Sequence, residues 1–403
     1  MNVPSTKSLL GLQETSRGLA EPDDAARAHS ELLRQRISTR IEQQSGKLEF
    51  SQFMQMALYE PGFGYYMAGL QRFGASGDFI TAPELGHLFG RCLARQCAEI
   101  LNSLGMGNIL EVGAGSGALA VSVLQELEFL NALPHSYQIL ETSADLKYQQ
   151  KQTIQRALPH LIGSVQWLDQ LPESGFCGVV LANELLDAMP VSRFSIADDQ
   201  LTVAAVIAYE DKFAWQHMEP DAELSTYFEN NIASYNLSDG YVSEININAK
   251  AWVKSVAERI DKGALLLVDY GYPANEFYHP QRNRGTLICH YRHQLHDDPL
   301  ILVGLQDITS HVNFSAIASS GQQAGLSLLG YTQQVHFLMA LGLLDMVRVQ
   351  GDSDSSSQMK LTQQIKKLTL PSEMGELFKV IALGKGLENS LTGFSLKDSR
   401  QKL

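Results

Sequence analysis

Short apolar runs alternate along much of this chain with segments whose apolar residues recur every three or four positions. The runs predict strands at 108–112, 136–140, 164–167 and 178–182. Between them the spacing predicts helices at 116–128, 143–157 and 184–189, the first carried by Leu119, Val123, Leu124 and Leu127. Such alternation implies an α/β fold with a parallel sheet and right-handed crossovers. From Arg193 to about Lys250 the pattern breaks: Phe194–Ile196 and Leu201–Ala208 flank Asp198 and Asp199 like a hairpin, with Trp215 on a further strand. It resumes with a helix at Ala249–Ile260, a strand at Ala264–Asp269, a helix at Phe314–Ala324, and strands at Leu326–Gln333 and Phe378–Leu383. Helices are also expected at His29–Gln44, within Phe50–Tyr66 and at Leu85–Leu101, while Gly351–Ser357 reads as a polar surface loop. The resulting plan is a disordered 1–28, an N-terminal helical cap at 29–107, and a core of 108–192 plus 250–385. A cap inserted at 193–249 and a tail at 386–403 complete it.

The first core strand breaks into Gly113, Gly115 and Gly117, directly before a helix. Strand, glycine turn and helix N-terminus bring backbone against a nucleotide-like ligand. Gly113-x-Gly115-x-x-Ala118 also meets the loose dinucleotide fingerprint, and a tight turn without a ligand is the plain alternative. Two features favour S-adenosylmethionine. A glycine at every second position lets backbone lie flush under a methionine arm, with Glu111 near its cationic amine. In addition, roughly a hundred residues precede the turn, whereas a dinucleotide domain usually begins within its first strand.

Acids follow at the ends of the later strands. Glu141 is expected to grip a ribose through its hydroxyls, the alternative being a cap at Thr142 or Ser143. Trp167 and Asp169 suit an adenine ring and its exocyclic amine, the alternative being a core tryptophan. In Ala182–Pro190, Asn183 caps the expected helix beside the cofactor, and Glu184 and Asp187 share one helix face. Paired carboxylates there bind a guanidinium and aim its lone pair at a methyl group; two acids complementing a helix dipole is the plainer reading. Asp78 and Thr81, on an N-terminal loop, are expected to close over the site, with Asp78 grouped with the two acceptor acids.

Composition narrows the class. A formal charge of −13 over 403 residues argues against a broad nucleic-acid surface. The four cysteines form no CxxC pair, which fits a reducing compartment. No apolar run reaches a membrane span, and no signal peptide or acid-poor presequence is visible, so a cytoplasmic location is expected. Five of the 11 histidines fall between His279 and His311, yet Cys289, His290, His293 and His296 match no tetrahedral metal spacing. No metal is expected there; the segment suits a substrate-binding or a structural loop.

These residues resemble the MidA-like family of S-adenosylmethionine-dependent methyltransferases. The resemblance runs through Tyr59–Tyr66, Gly77–Glu84, Glu111–Gly117, Asn183–Pro190, Asp269–Tyr272, Gly285–His293, Gly304–Thr309 and Met374–Lys379. It implies a seven-stranded, mostly parallel Rossmann-like sheet with an N-terminal helical cap and an inserted α+β cap. It implies, further, transfer to a protein arginine, the mitochondrial member being an arginine methyltransferase that assists respiratory complex I assembly. A respiratory-complex subunit is then the expected kind of protein partner, with a mitochondrial matrix location in a eukaryote. The competing readings are a small-molecule methyltransferase, an assembly or binding protein that keeps the fold, and last a nicotinamide enzyme. Oligomeric state stays open.

Overall fold

The structure, a computed structural model, describes residues 18–68, 81–348, 355–387 and 390–403. The chain divides into two compact units, a sheet unit of residues 80–186, 249–274 and 312–403 and a cap unit of residues 1–79, 187–248 and 275–311.

In the sheet unit the strands are β1 (Asn108–Val112), β2 (Tyr137–Leu140), β3 (Val165–Leu168), β4 (Phe176–Asn183), β5 (Ile260–Tyr272), β6 (Val312–Asn313), β7 (Ser327–Gln333) and β8 (Phe378–Lys385). Their order is β7-β8-β5-β4-β1-β2-β3, with β6 paired beside β5. All pairings are parallel except those of β8 with β5 and β7. The sheet thus has eight strands instead of seven, the addition being the two-residue β6. Helices α1 (His87–Leu104), α2 (Ala118–Phe129), α3 (Ala144–Ala157), α4 (Ile247–Ala257) and α5 (Phe314–Gln323) accompany it. Residues 264–268 of β5 are all buried, as expected of a parallel strand covered on both faces. Ile109, Val123, Val179, Leu181, Leu266 and Val380 share one core cluster with Phe89 and Leu93 of α1.

The chain runs outward from β1 to β3 and returns as β4 on the other side of β1. This reversal creates a switch point between β1 and β4, where open α/β sheets bind ligands beyond the carboxyl ends of their strands.

The cap unit carries helices Asp24–Gln43 and Phe50–Tyr59 and a five-stranded antiparallel sheet. The hairpin of Ser192–Ala197 and Gln200–Tyr209 turns at Asp198 and Asp199, both left-handed at φ +52° and +60°, as a tight hairpin requires. Trp215 lies on the next strand, Lys212–Met218.

Several expectations need correction. Helix formation begins at Asp24, capped by the Asp23 carboxylate, inside the stretch read as disordered. Helix α1 belongs to the sheet unit, because its apolar face packs into the sheet's core. Residues 275–311 belong to the cap unit, where Ile288–Tyr291 pairs with Gln294–His296 and Asp307–Thr309 in a small sheet. Ser355, inside the expected loop, begins a helix to Thr369, and residues 351–354 lie outside the described residues. The tail is anchored: Phe394 is buried edge-on against Phe337 at 5.4 Å. No helix among the described residues is long and apolar enough to cross a membrane.

Candidate cofactor and acceptor site

The glycine turn joins β1 to α2 with three left-handed residues, Gly113, Gly115 and Gly117, at φ +72°, +52° and +87°. L side chains avoid that region. A Cβ on Gly113 would stand 3.1 Å from Leu185 Cδ1, and one on Gly117 would stand 3.2 Å from Gln150 Cα. Gly113 therefore admits the turn after β4, and Gly117 admits helix α3. Backbone amides align the edge: Gly113 N donates to Leu140 O at 3.2 Å, Glu141 N to Leu168 O at 3.4 Å and Glu184 N to Val268 O at 2.9 Å. Gly113, Glu141 and Glu184 thus occupy one edge of the sheet.

Glu111 is buried on β1 and accepts the Tyr137 hydroxyl at 2.6 Å. Burial is the main cause that pushes its carboxyl up to about 7, with the Tyr137 bond opposing and the Glu141 charge adding. Glu141 Oε1 accepts the backbone N–H groups of Thr142 and Ser143, each at 2.9 Å, and Oε2 accepts Gln150 Nε2 at 3.1 Å. Burial raises this carboxyl too, while those hydrogen bonds lower it. The cap of α3 itself is Ser143. Asp169 is exposed and ion-paired with Lys147.

The helix expected at 184–189 is absent. Glu184 is left-handed at φ +51°, which stops helix propagation, and Asp269 captures the N–H of Leu186 at 2.9 Å. Glu184 and Asp187 consequently share no helix face, and Asn183 caps nothing. Asn183 Nδ2 instead donates to Glu184 Oε1 at 3.0 Å, and its Oδ1 is buried with no hydrogen-bond partner among the described residues. Asp187 is the first residue of the cap unit, buried, with its carbonyl accepting Ser310 N at 2.9 Å. Thr81 precedes a short 3-10 helix, Ala82–Leu85, whose Glu84 accepts the hydroxyl of Ser116 in the glycine turn. Asp78 lies outside the described residues.

Gln150 also belongs to this edge, although a glutamine inside a helix carries no local signal in the sequence. It is fully buried; Nε2 donates to Gly115 O at 3.0 Å as well as to Glu141, and Oε1 accepts Trp167 Nε1 at 3.0 Å. Asp269 ends an expected strand, and its hold on the turn depends on pairing of β4 with β5 that no sequence window contains. Among the described residues no group of three metal-binding side chains converges. A cleft of about 1520 Å³ lies wholly within the cap unit, with Glu31, Asp211, Arg193 and Arg284 on its wall, and forms no part of this site.

The edge suits S-adenosylmethionine: three of the turn's five residues are glycines without side chains, Glu111 offers a buried carboxyl, and Asn183 Oδ1 is a buried acceptor without a partner among the described residues. Sheet order and edge together define an α/β methyltransferase that takes S-adenosylmethionine as cofactor. The chain belongs to the S-adenosyl-L-methionine-dependent methyltransferase family whose model matches residues 92–332. It is 27% identical to the mitochondrial protein arginine methyltransferase NDUFAF7 of Danio rerio over 372 residues, covering 84% of each chain. The Homo sapiens counterpart is 26% identical over 84% of this chain and 80% of its own. A Burkholderia thailandensis protein, solved with S-adenosyl-homocysteine bound, is 39% identical with a TM-score of 0.92, covering 96% of this chain and all of that one.

Proposed function

We propose that this methyltransferase acts on an arginine of a protein substrate, with Glu184 holding the acceptor guanidinium. The observation that carries this reading is the backbone of Glu184. A non-glycine residue at φ +51°, directly before the Leu185 that packs on Gly113, is a strained conformation beside the cofactor turn. Asn183 Nδ2 fixes one oxygen of its carboxylate, so the group is oriented before a substrate arrives. The names of the curated relatives add support, since they are protein arginine methyltransferases.

In this reading Gly113, Gly115 and Gly117 pass beneath the methionine arm and Glu111 offers its carboxylate to the arm's ammonium. Asn183 Oδ1 accepts a hydrogen bond from the ligand, and Glu141 holds the ribose. Asp169 is assigned to the adenine amine, and Thr81 to the cofactor. S-Adenosylmethionine supplies, when bound, an electrophilic methyl on a sulfonium. Glu184 holds the guanidinium through charged hydrogen bonds, aligning one nitrogen with that methyl, so positioning and charge do most of the work.

The test is Glu184→Gln, which keeps shape and removes charge. Cofactor binding by calorimetry should persist while methyl transfer falls roughly a hundredfold or more, the scale for one preorganised charged contact. Undiminished transfer would remove Glu184 from the acceptor site, and loss of both activities would make it a structural residue of the turn.

A further inference from the structure

We propose that Gln150 is the positioning residue of the cofactor site, locking the glycine turn, the ribose acid Glu141 and the Trp167 indole into one preset arrangement. The inference rests on the reading of Glu141 as the ribose acid, and is independent of the methyl acceptor. Gln150 sits on α3, yet its amide serves three other elements. One donor pair reaches Gly115 O at 3.0 Å, in the middle of the turn, and Glu141 Oε2 at 3.1 Å. Its oxygen accepts the Trp167 indole N–H at 3.0 Å, on β3. These bonds use both amide hydrogens and the carbonyl together, which no apolar, acidic or basic side chain of this size reproduces. The backbone takes part as well, because Gly117 lacks a side chain where Gln150 Cα lies 3.2 Å from the position of a Cβ.

The consequence is orientational. Two backbone amides hold Glu141 Oε1 and Gln150 holds Oε2, so the carboxylate cannot rotate away from the edge. The same amide pins Gly115, so turn and acid are fixed to each other before the ligand arrives. A ligand entering a preset site loses less affinity to ordering than one that must assemble it. Removal of Gln150 also leaves the Gly115 carbonyl and the Trp167 N–H without these partners.

The test is a double-mutant cycle read by calorimetric binding of S-adenosylmethionine to parent, Gln150→Leu, Glu141→Gln and the double variant. Gln150→Leu should weaken binding by about tenfold to a hundredfold, the range for a hydrogen bond to a charged group. Because Gln150 acts in part through Glu141, the double variant should lose less affinity than the two single losses together. Gln150→Glu supplies a second readout and serves if the leucine variant fails to fold. It sets a carboxyl against both Glu141 and the Gly115 carbonyl, so its affinity relative to the parent's at the same pH should be lowest near pH 8 and recover toward pH 5.5, where a shared proton restores a donor; the parent's own profile carries the titration of Glu111, and Lys147 is the cation that acts on Glu141. Affinity losses that add, an unchanged Gln150→Leu affinity, or a Gln150→Glu variant that follows the parent's pH profile would each overturn the inference. An unchanged Glu141→Gln affinity would instead remove the ribose reading on which it stands.

Discussion

Gly113 answers to two constraints at once, a left-handed backbone at φ +72° and the Leu185 methyl 3.1 Å from where a Cβ would stand. Gly113→Val violates both, and strain at such a position costs about 1–3 kcal/mol before any contact with the ligand is lost. We predict that a folded Gly113→Val protein binds S-adenosylmethionine at least about tenfold more weakly by calorimetry; unchanged affinity would separate the turn from the cofactor. Glu111 gives a pH prediction. Its folded carboxyl keeps a proton up to about pH 7, whereas the unfolded chain releases one near the ordinary value of 4.5. The native state binds more protons across that window, so this group lowers stability as pH rises through it. Glu111→Gln should raise the melting temperature of ligand-free protein over the parent near pH 8, with the gain vanishing toward pH 4.5. An equal gain at both ends would mean that burial does not hold the proton. The glycine turn between a strand and a helix is legible in the sequence because its parts lie within a short local pattern. Gln150 and the left-handed Glu184 are not, since both conformations are imposed by residues distant along the chain.

Among the elements, the strands and long helices of the core follow from periodicity, because a strand buried on both faces and a helix with an apolar stripe each leave a local trace. The turn after β4 reads wrongly for a physical reason. Residues 184–189 have helical spacing, but the Asp269 carboxylate on β5 takes the Leu186 N–H at 2.9 Å and the Tyr270 N–H at 2.9 Å. A competing acceptor from a neighbouring strand outweighs a weak local propensity. Asp269→Asn keeps shape and loses the charge that strengthens these bonds, each worth roughly 1.5–3 kcal/mol. Methyl transfer should fall about tenfold or more while cofactor affinity, measured on the same preparation, stays within about twofold. A parallel loss of affinity would mean that the turn supports the cofactor rather than the acceptor. Strand β6 escaped notice because two residues carry no period.

For the whole molecule, chain order misassigned residues 275–311: they follow a core strand in sequence but fold with the cap unit. Their small sheet buries Cys289, and burial pushes its thiol well above its ordinary value, unfavourable for the thiolate that zinc requires. Treatment with a chelator should therefore change neither methyl transfer nor melting temperature, and a stoichiometric zinc by elemental analysis would contradict this. The central claim is transfer from S-adenosylmethionine to a protein arginine. Its most direct measurement incubates purified protein with methyl-labelled cofactor and a cell extract, then hydrolyses the labelled protein band and identifies the amino acid that carries the label. The account predicts N-methylated arginine, absent when Glu184→Gln replaces the parent; label confined to small molecules, or found on another amino acid, would contradict it.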